Sequence, residues 1–367
     1  MRANGAWIGI ADHEGGTFQA GGLGAAPGAR EEEILPRGTL MLETHLSPEG
    51  RPQTLLNFAR GAPWTGGLTL KALPNGGIVL IEQLADDLRH AALPNDLDGR
   101  NDEVRVYFSW DAPARWGRLS LEHVAKGRIT SVQTPPPHPM TNEDMRMISR
   151  FPARRAMDRD VNFLAISSEV EPLGPMPGLA ASVPIATPRG PVPAAQLRRG
   201  DTVLTSSGAV VPILRTVAQR FPARGALRPV RLRAPFFGLR QDILVAPHQR
   251  LVIGGSQVEY MFGTEAALVP VRHLVNGASA YYDTGHAGTC PDTITYYDIL
   301  LPGHEVILAA GCPMESLYIG RLRRDKPALD ASLLAPFERA HLPEHARPIW
   351  PVLKPFEAKT LAALRAA

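Results

Sequence analysis

The sequence predicts an all-β protein of two domains, an antiparallel β-sandwich followed by a second β-rich domain. Three observations carry this. The chain has 367 residues, more than a single hydrophobic core normally serves. Its 34 glycines and 35 prolines are spread along the whole length, which suits many short strands better than long helices. The apolar residues also recur in short runs, several of them alternating with polar ones.

In the first half the runs are 38–47, 53–60, 67–84, 101–112 and 116–124, rich in Leu, Val, Ile, Phe and Tyr and bounded by Gly, Pro, Asn or Asp. Asn75-Gly76 splits the third run with a hairpin signal. Strands at this spacing predict a sandwich over residues 1–150. Two features there suit a ligand. Asp96, Asp98, Asn101 and Asp102 in "DLDGRNDE" have the oxygen-rich spacing that calcium favours, without the full loop pattern or its terminal Glu, so a plain polar turn is the competing reading. Trp7, Trp64, Trp110 and Trp116 could stack on sugar rings or pack in a core.

"TPPPHPM" (134–140) interrupts the pattern, since successive prolines remove ladder donors. "TNEDMRMISRF" then predicts a short helix, with Thr141 or Asn142 as cap and Glu143 and Asp144 in its first turn. Residues 151–177 are Pro-rich and irregular and predict a linker. β character resumes at 183–217, with turns at Pro188-Arg189-Gly190, Gly200-Asp201 and Ser207-Gly208, and continues through "DILVAPHQRLVI", "ALVPVRHLVNG" and "TYYDILLPGHEVILAAG".

The order of these segments resembles the Hint domain, the self-processing β-fold of inteins and of the autocatalytic half of Hedgehog proteins. "IATPRGPVPAAQLRRGDTVLTSSG" is similar to its first block, "ILVAPHQRLVI" to its second, "LVPVRHLVNG" to its third, and "YYDILLPGHEVILAAGCPMESLYIG" to the long histidine hairpin of the bacterial subgroup. With the tail at 346–361, the resemblance spans 178–361, about half the chain. "VYFSWDAPARWGRLSLE" (106–122) resembles the concanavalin-like or laminin-G-like jelly rolls that accompany such domains.

The resemblance implies an acyl shift. A Cys at the first position attacks the preceding carbonyl, and a His of the second block protonates the leaving nitrogen. The family's spacing puts that Cys at Gly178, and no Cys occurs before Cys290. Ser182 is a weak substitute, lying four residues inside the block. The second block usually reads Ser-Pro-x-His-Arg, whereas this chain has Ala246-Pro247-His248-Gln249-Arg250, with its His one residue early. On a strand that displacement turns the imidazole to the opposite face, away from where the family's His points, unless the turn at Pro247 absorbs the shift. The hairpin keeps His304 and Glu305 but has Pro302 and Gly303 where the subgroup commonly has Asp and Arg. His248, His273 and His304 have no local ligand spacing, so structural histidines compete with a metal or acid–base cluster.

The net charge of +3, from 39 basic and 36 acidic residues, gives no argument for nucleic acid. The one basic run, "RLRRDK" at 321–326, reads as a solvated stretch. No window approaches a membrane span and no signal-peptide core opens the chain, so a cytoplasmic protein is the default expectation, with unconventional export left open. Two cysteines, Cys290 and Cys312, allow one loop staple or two reduced thiols. No cofactor is expected beyond the calcium candidates. The functional expectations are a degenerate Hint scaffold, a sandwich that binds a glycan or protein ligand, or residual processing near Gly178.

Overall fold

The computed structural model describes residues 7–24, 34–61, 65–95, 103–285 and 291–366. The chain divides into two compact units, Met1–Pro172 and Leu173–Ala367.

Unit 1 opens with β1 (Trp7–Asp12), β2 (Gly15–Phe18), β3 (Ile34–Leu35) and β4 (Arg37–His45). It continues with β5 (Gln53–Arg60), β6 (Gly66–Ala72), β7 (Ile78–Leu84), β8 (Asp87–Leu93), β9 (Glu103–Asp111), β10 (Trp116–His123) and β11 (Arg128–Gln133). After β12 (Met140–Thr141) come α1 (Asn142–Arg150), β13 (Arg155–Ala156) and β14 (Val161–Ser167). A seven-stranded sheet, β11-β10-β9-β4-β14-β1-β2, faces a five-stranded one, β13-β5-β6-β7-β8, with every pair antiparallel. This is the sandwich the strand spacing predicts.

Alternation along β9 shows how the sheet forms. Val104, Val106, Phe108 and Trp110 enter the core, while Arg105, Tyr107 and Ser109 take the other face. Gly38 stands opposite Trp110 in the ladder, and a side chain there would run into the indole. On the face away from the core, Glu43, Arg105 and Glu122 are directly opposite one another on three neighbouring strands. Arg105 donates to Glu43 at 3.0 Å and to Glu122 at 3.1 Å, and the Tyr107 hydroxyl donates to Glu122 at 2.8 Å. All four are buried.

The hairpin at Asn75-Gly76 forms as its sequence predicts. Gly76 takes φ 84°, and Asn75 Oδ1 accepts from the Gly77 N–H. Thr141 rather than Asn142 caps α1, in a capping box with Asp144. The linker expected over 151–177 is corrected: β14 is an inner strand of the larger sheet, between β4 and β1, and 152–156 form a helical turn and a short strand. Its Pro-rich flanks hid the "VNFLAIS" run. β8 carries too many charges to read as a strand, because it is a sheet edge with one side in water. Trp7 and Trp110 are 2% and 1% exposed, so the sugar-stacking platform is corrected: both are core residues. Trp116 is half-buried under the Arg118 guanidinium. Trp64, Cys290 and the calcium candidates Asp96, Asp98 and Asp102 lie outside the described residues.

Unit 2 runs through β15 (Leu179–Ala180), β16 (Pro184–Ile185), β17 (Val192–Pro193), β18 (Thr202–Leu204), β19 (Val210–Pro212), β20 (Arg215–Pro222), β21 (Val230–Leu232), β22 (Ile243–Val245) and β23 (Arg250–Gly254). Then follow α2 (Ser256–Phe262), β24 (Ala266–Pro270), β25 (Ala280–Tyr282), β26 (Thr293–Leu300), β27 (Val306–Ala309), β28 (Cys312–Glu315), α3 (Lys326–Asp330) and α4 (Pro355–Ala366). Two six-stranded sheets, β20-β26-β15-β22-β21-β25 and β17-β16-β27-β28-β23-β24, share one apolar core, to which α4 adds Ala358 and Leu361. β18 and β19 form a separate hairpin around Ser207-Gly208. No helix among the described residues is long and apolar enough to cross a membrane.

Arg105→Leu is expected to lower the stability of unit 1 by about 3–5 kcal/mol, because it leaves two buried carboxylates without their cation. Urea unfolding of the full chain followed by tryptophan fluorescence checks this, and a midpoint equal to the parent's would contradict the assigned pairing.

Candidate functional site

The site is built around the start of β15. Though only two residues long, β15 sits inside its sheet, with Leu179 opposite both Val245 of β22 and Tyr297 of β26. The Gly178 carbonyl accepts from the Ala246 N–H at 2.7 Å. Gly178 is thereby pinned before β15, beside the turn that follows β22.

Pro247 and His248 form that turn. Strand parity does not apply to His248, because Pro247 makes the turn that was the alternative, and the imidazole swings back toward the chain that enters the unit. Its Nε2 lies 3.2 Å from Met176 O, two residues ahead of Gly178. Gln249, the residue at the family's His position, faces Gly178. A Cβ built on Gly178 would come within 3.0 Å of Gln249 Cβ and Cδ, and closer still to Oε1. Gln249 is buried and donates to Glu315 O at 2.9 Å, which ties the loop to β28.

Sequence reasoning missed Asp298, which approaches the same glycine from β26. Its carboxyl accepts from the Ile299 N–H at 2.8 Å and lies against the N–H groups of Gly178 and Leu317. Burial, with the negative charge of Glu315 adding to it, pushes the carboxyl up to about 8 despite these N–H groups. The available signal was an acid inside the apolar run "YYDILL". Glu315, at the end of β28, is held by Arg250 at 3.1 Å and by His304 Nε2 at 2.8 Å. His304 packs edge-on against Tyr318 and beside His345. His345 Nδ1 accepts from the Ile319 N–H at 3.3 Å, so its Nε2 is the protonated nitrogen that donates to Leu301 O at 3.0 Å.

The histidines weighed as a cluster have different neighbours. His248 contacts the entering chain, His304 binds Glu315, and His273 is pulled down to about 4 by burial and by Arg272 and Lys359. No group of three metal-ligating side chains forms among the described residues. Ser182 is exposed in the turn after β15. Glu305 meets Ser316 through its backbone. Cys312 is a buried free thiol, pushed up to about 12 by desolvation. In the basic run, Arg323 and Arg324 both bind Glu344, and these hydrogen bonds hold its half-buried carboxyl down at about 2.

Chemically, the site offers an acid, Asp298, at the amide nitrogen of Gly178, and beyond it Glu315, ion-paired to Arg250 and in contact with His304. At the two positions where the resemblance places nucleophile and proton donor it offers a hydrogen atom and a carboxamide.

Residues 177–321 match the family model of the Hint domain. Unit 2 therefore carries a Hint domain over that range. No curated protein matches the chain. Among solved structures the chain is similar to the MchDnaB-1 intein at 12% identity, covering 37% of this chain and 98% of that one with a TM-score of 0.24. It is similar to the Msm DnaB1 intein splicing domain bound with zinc at 13% identity, covering 37% and 98% with a TM-score of 0.23. The CBM40 of Ruminococcus gnavus IT-sialidase bound to α2,3-sialyllactose is 14% identical, with coverage of 37% of this chain and 77% of that one and a TM-score of 0.26.

Asp298 gives unit 2 a pH dependence. Its carboxyl is raised in the folded chain, so its stabilising contribution is complete below the unfolded value near 4 and disappears as pH rises through about 8. The thermal midpoint of Asp298→Asn should gain on the parent's steadily between pH 5 and 9, as differential scanning calorimetry would show. Parallel profiles would place the carboxyl in water.

Proposed function

We propose that unit 2 is a Hint-type domain that has lost self-processing and is retained as a folded scaffold or interaction module. The observation that carries this is the packing of Gln249 into the space a side chain at 178 would need. An acyl shift requires a nucleophile and a group that protonates the leaving nitrogen. Glycine supplies no nucleophile, and the carboxamide of Gln249 has no proton to transfer at neutral pH. Asp298 can reach the nitrogen, but without an attacking atom the Pro177–Gly178 peptide stays intact.

A glycan or protein ligand for the sandwich remains the second element of this reading. It draws no support from Trp7 and Trp110, whose rings face the core.

Intact-mass spectrometry of the purified chain tests the lost processing. After long incubation with dithiothreitol or hydroxylamine, a single species at the full 39.7 kDa is expected. Thiol-dependent fragments of the parent chain breaking after Pro177 would refute the reading.

A further inference from the structure

Residues 134–139 read Thr-Pro-Pro-Pro-His-Pro, and the four prolines leave this stretch of unit 1 only two backbone N–H groups. Thr134 gives its N–H to Gly117 O at 2.9 Å, which fixes the start to β10. His138 gives its own to Glu82 Oε1 at 3.2 Å. With no other donor the stretch cannot join a sheet edge, and the remaining attachments are arginines reaching its carbonyls. Arg89 of β8 donates to Pro136 O, and Arg60 of β5 donates to Pro139 O at 3.2 Å. Met140 then re-enters a ladder opposite Leu35. Buried Thr134 and Met140 thus anchor the two ends of a strap that only side chains hold down.

Beneath it is a cleft lined by Phe58, Leu68, Met140, Arg60, Glu82 and His138. Glu82 follows Ile78 and Leu80 on the core-facing side of β7 and is 2% exposed. His138 is also buried, though less deeply. Its Nε2 has no hydrogen-bond partner among the described residues, the Asp87 carboxylate being 3.8 Å away. The charged groups facing the pair are already engaged. Arg89 binds Asp87 at 2.6 Å, and Arg60 is doubly bonded to Asp144 of α1.

We propose that residues 134–139 form a pH-sensitive latch, closed while Glu82 is protonated and His138 neutral, and lifted when either side chain becomes charged and draws water into the cleft. The strap gives Glu82 one N–H and no cation of its own, too little to replace the hydration of a carboxylate. Desolvation accordingly pushes Glu82 up to about 7 and holds His138 below the usual imidazole range. The signs oppose. Closure keeps a proton on Glu82 that the open strap releases from about pH 4.5 upward, and it denies His138 a proton that the open strap takes up below about pH 6.5. Between about pH 4.5 and 6.5 the proton that opening takes from Glu82 and the one it gives to His138 largely offset each other, so closure changes little there; above that range only the Glu82 loss remains, and it is complete just above about pH 7.

Hydrogen exchange on the full chain, expressed as protection relative to the intrinsic rate at each pH, reads the latch at the His138 amide. Protection should drop at least about twofold from pH 5.5 to 8, the Glu82 loss exceeding the opposing His138 gain, while the Leu42 amide of the central strand keeps its protection. Glu82→Gln should remove the alkaline drop. No drop in the parent, an equal drop in Glu82→Gln, or a parallel drop at Leu42 would overturn the proposal. If Glu82→Gln does not fold, carbon-13 titration of the Glu82 carboxyl in the parent decides. A midpoint within about one unit of the loss of protection supports the latch, and one in the ordinary carboxylate range near about 4.5 overturns it.

Discussion

Arg105 lies between Glu43 and Glu122 on three adjacent strands, with almost none of its surface in water. The larger sheet of unit 1 is organised by that requirement. A buried guanidinium must keep its carboxylates opposite it, and a slip of one residue in either neighbouring strand would turn a carboxylate to the apolar face. The same register delivers Leu42, Val106 and Leu121 to the core. Charge pairing on one face and apolar packing on the other thus specify a single alignment of β4, β9 and β10.

Buried carboxyls recur elsewhere with different partners. Glu82 accepts one strap N–H, and Asp298 lies among three backbone N–H groups. None of these N–H groups carries a full charge, so both carboxyls are held in their protonated form to higher pH than in water. In unit 2 the consequence is local to Gly178. The glycine lets Gln249 approach, Gln249 bonds to β28, and the unit closes around a junction with no reactive side chain.

That position 178 carries no thiol could be read from the residues, because Gly178 and the absence of any Cys before Cys290 require no coordinates. What surrounds that glycine could not. Strand and turn at Pro247 were both open from the residues, and only the folded chain shows the turn, with Gln249 facing the glycine and His248 reaching Met176 O. Asp298 belongs to the site through the pairing of β26 with β15, in which Leu179 stands opposite Tyr297, 118 residues along the chain.

The sequence by itself determined the all-β class, the Asn75-Gly76 hairpin, the capped helix at Thr141 and the order of blocks that marks the Hint domain, because each depends on residues close together in the chain. Tertiary structure decided which irregular stretch was a strand and which tryptophans were core. It placed β14 inside a sheet despite its Pro-rich flanks, since two neighbouring strands outweigh local composition, and it set the pairings of Glu82, Gln249 and Asp298. Those pairings depend on desolvation by residues far away in sequence, which no local pattern encodes.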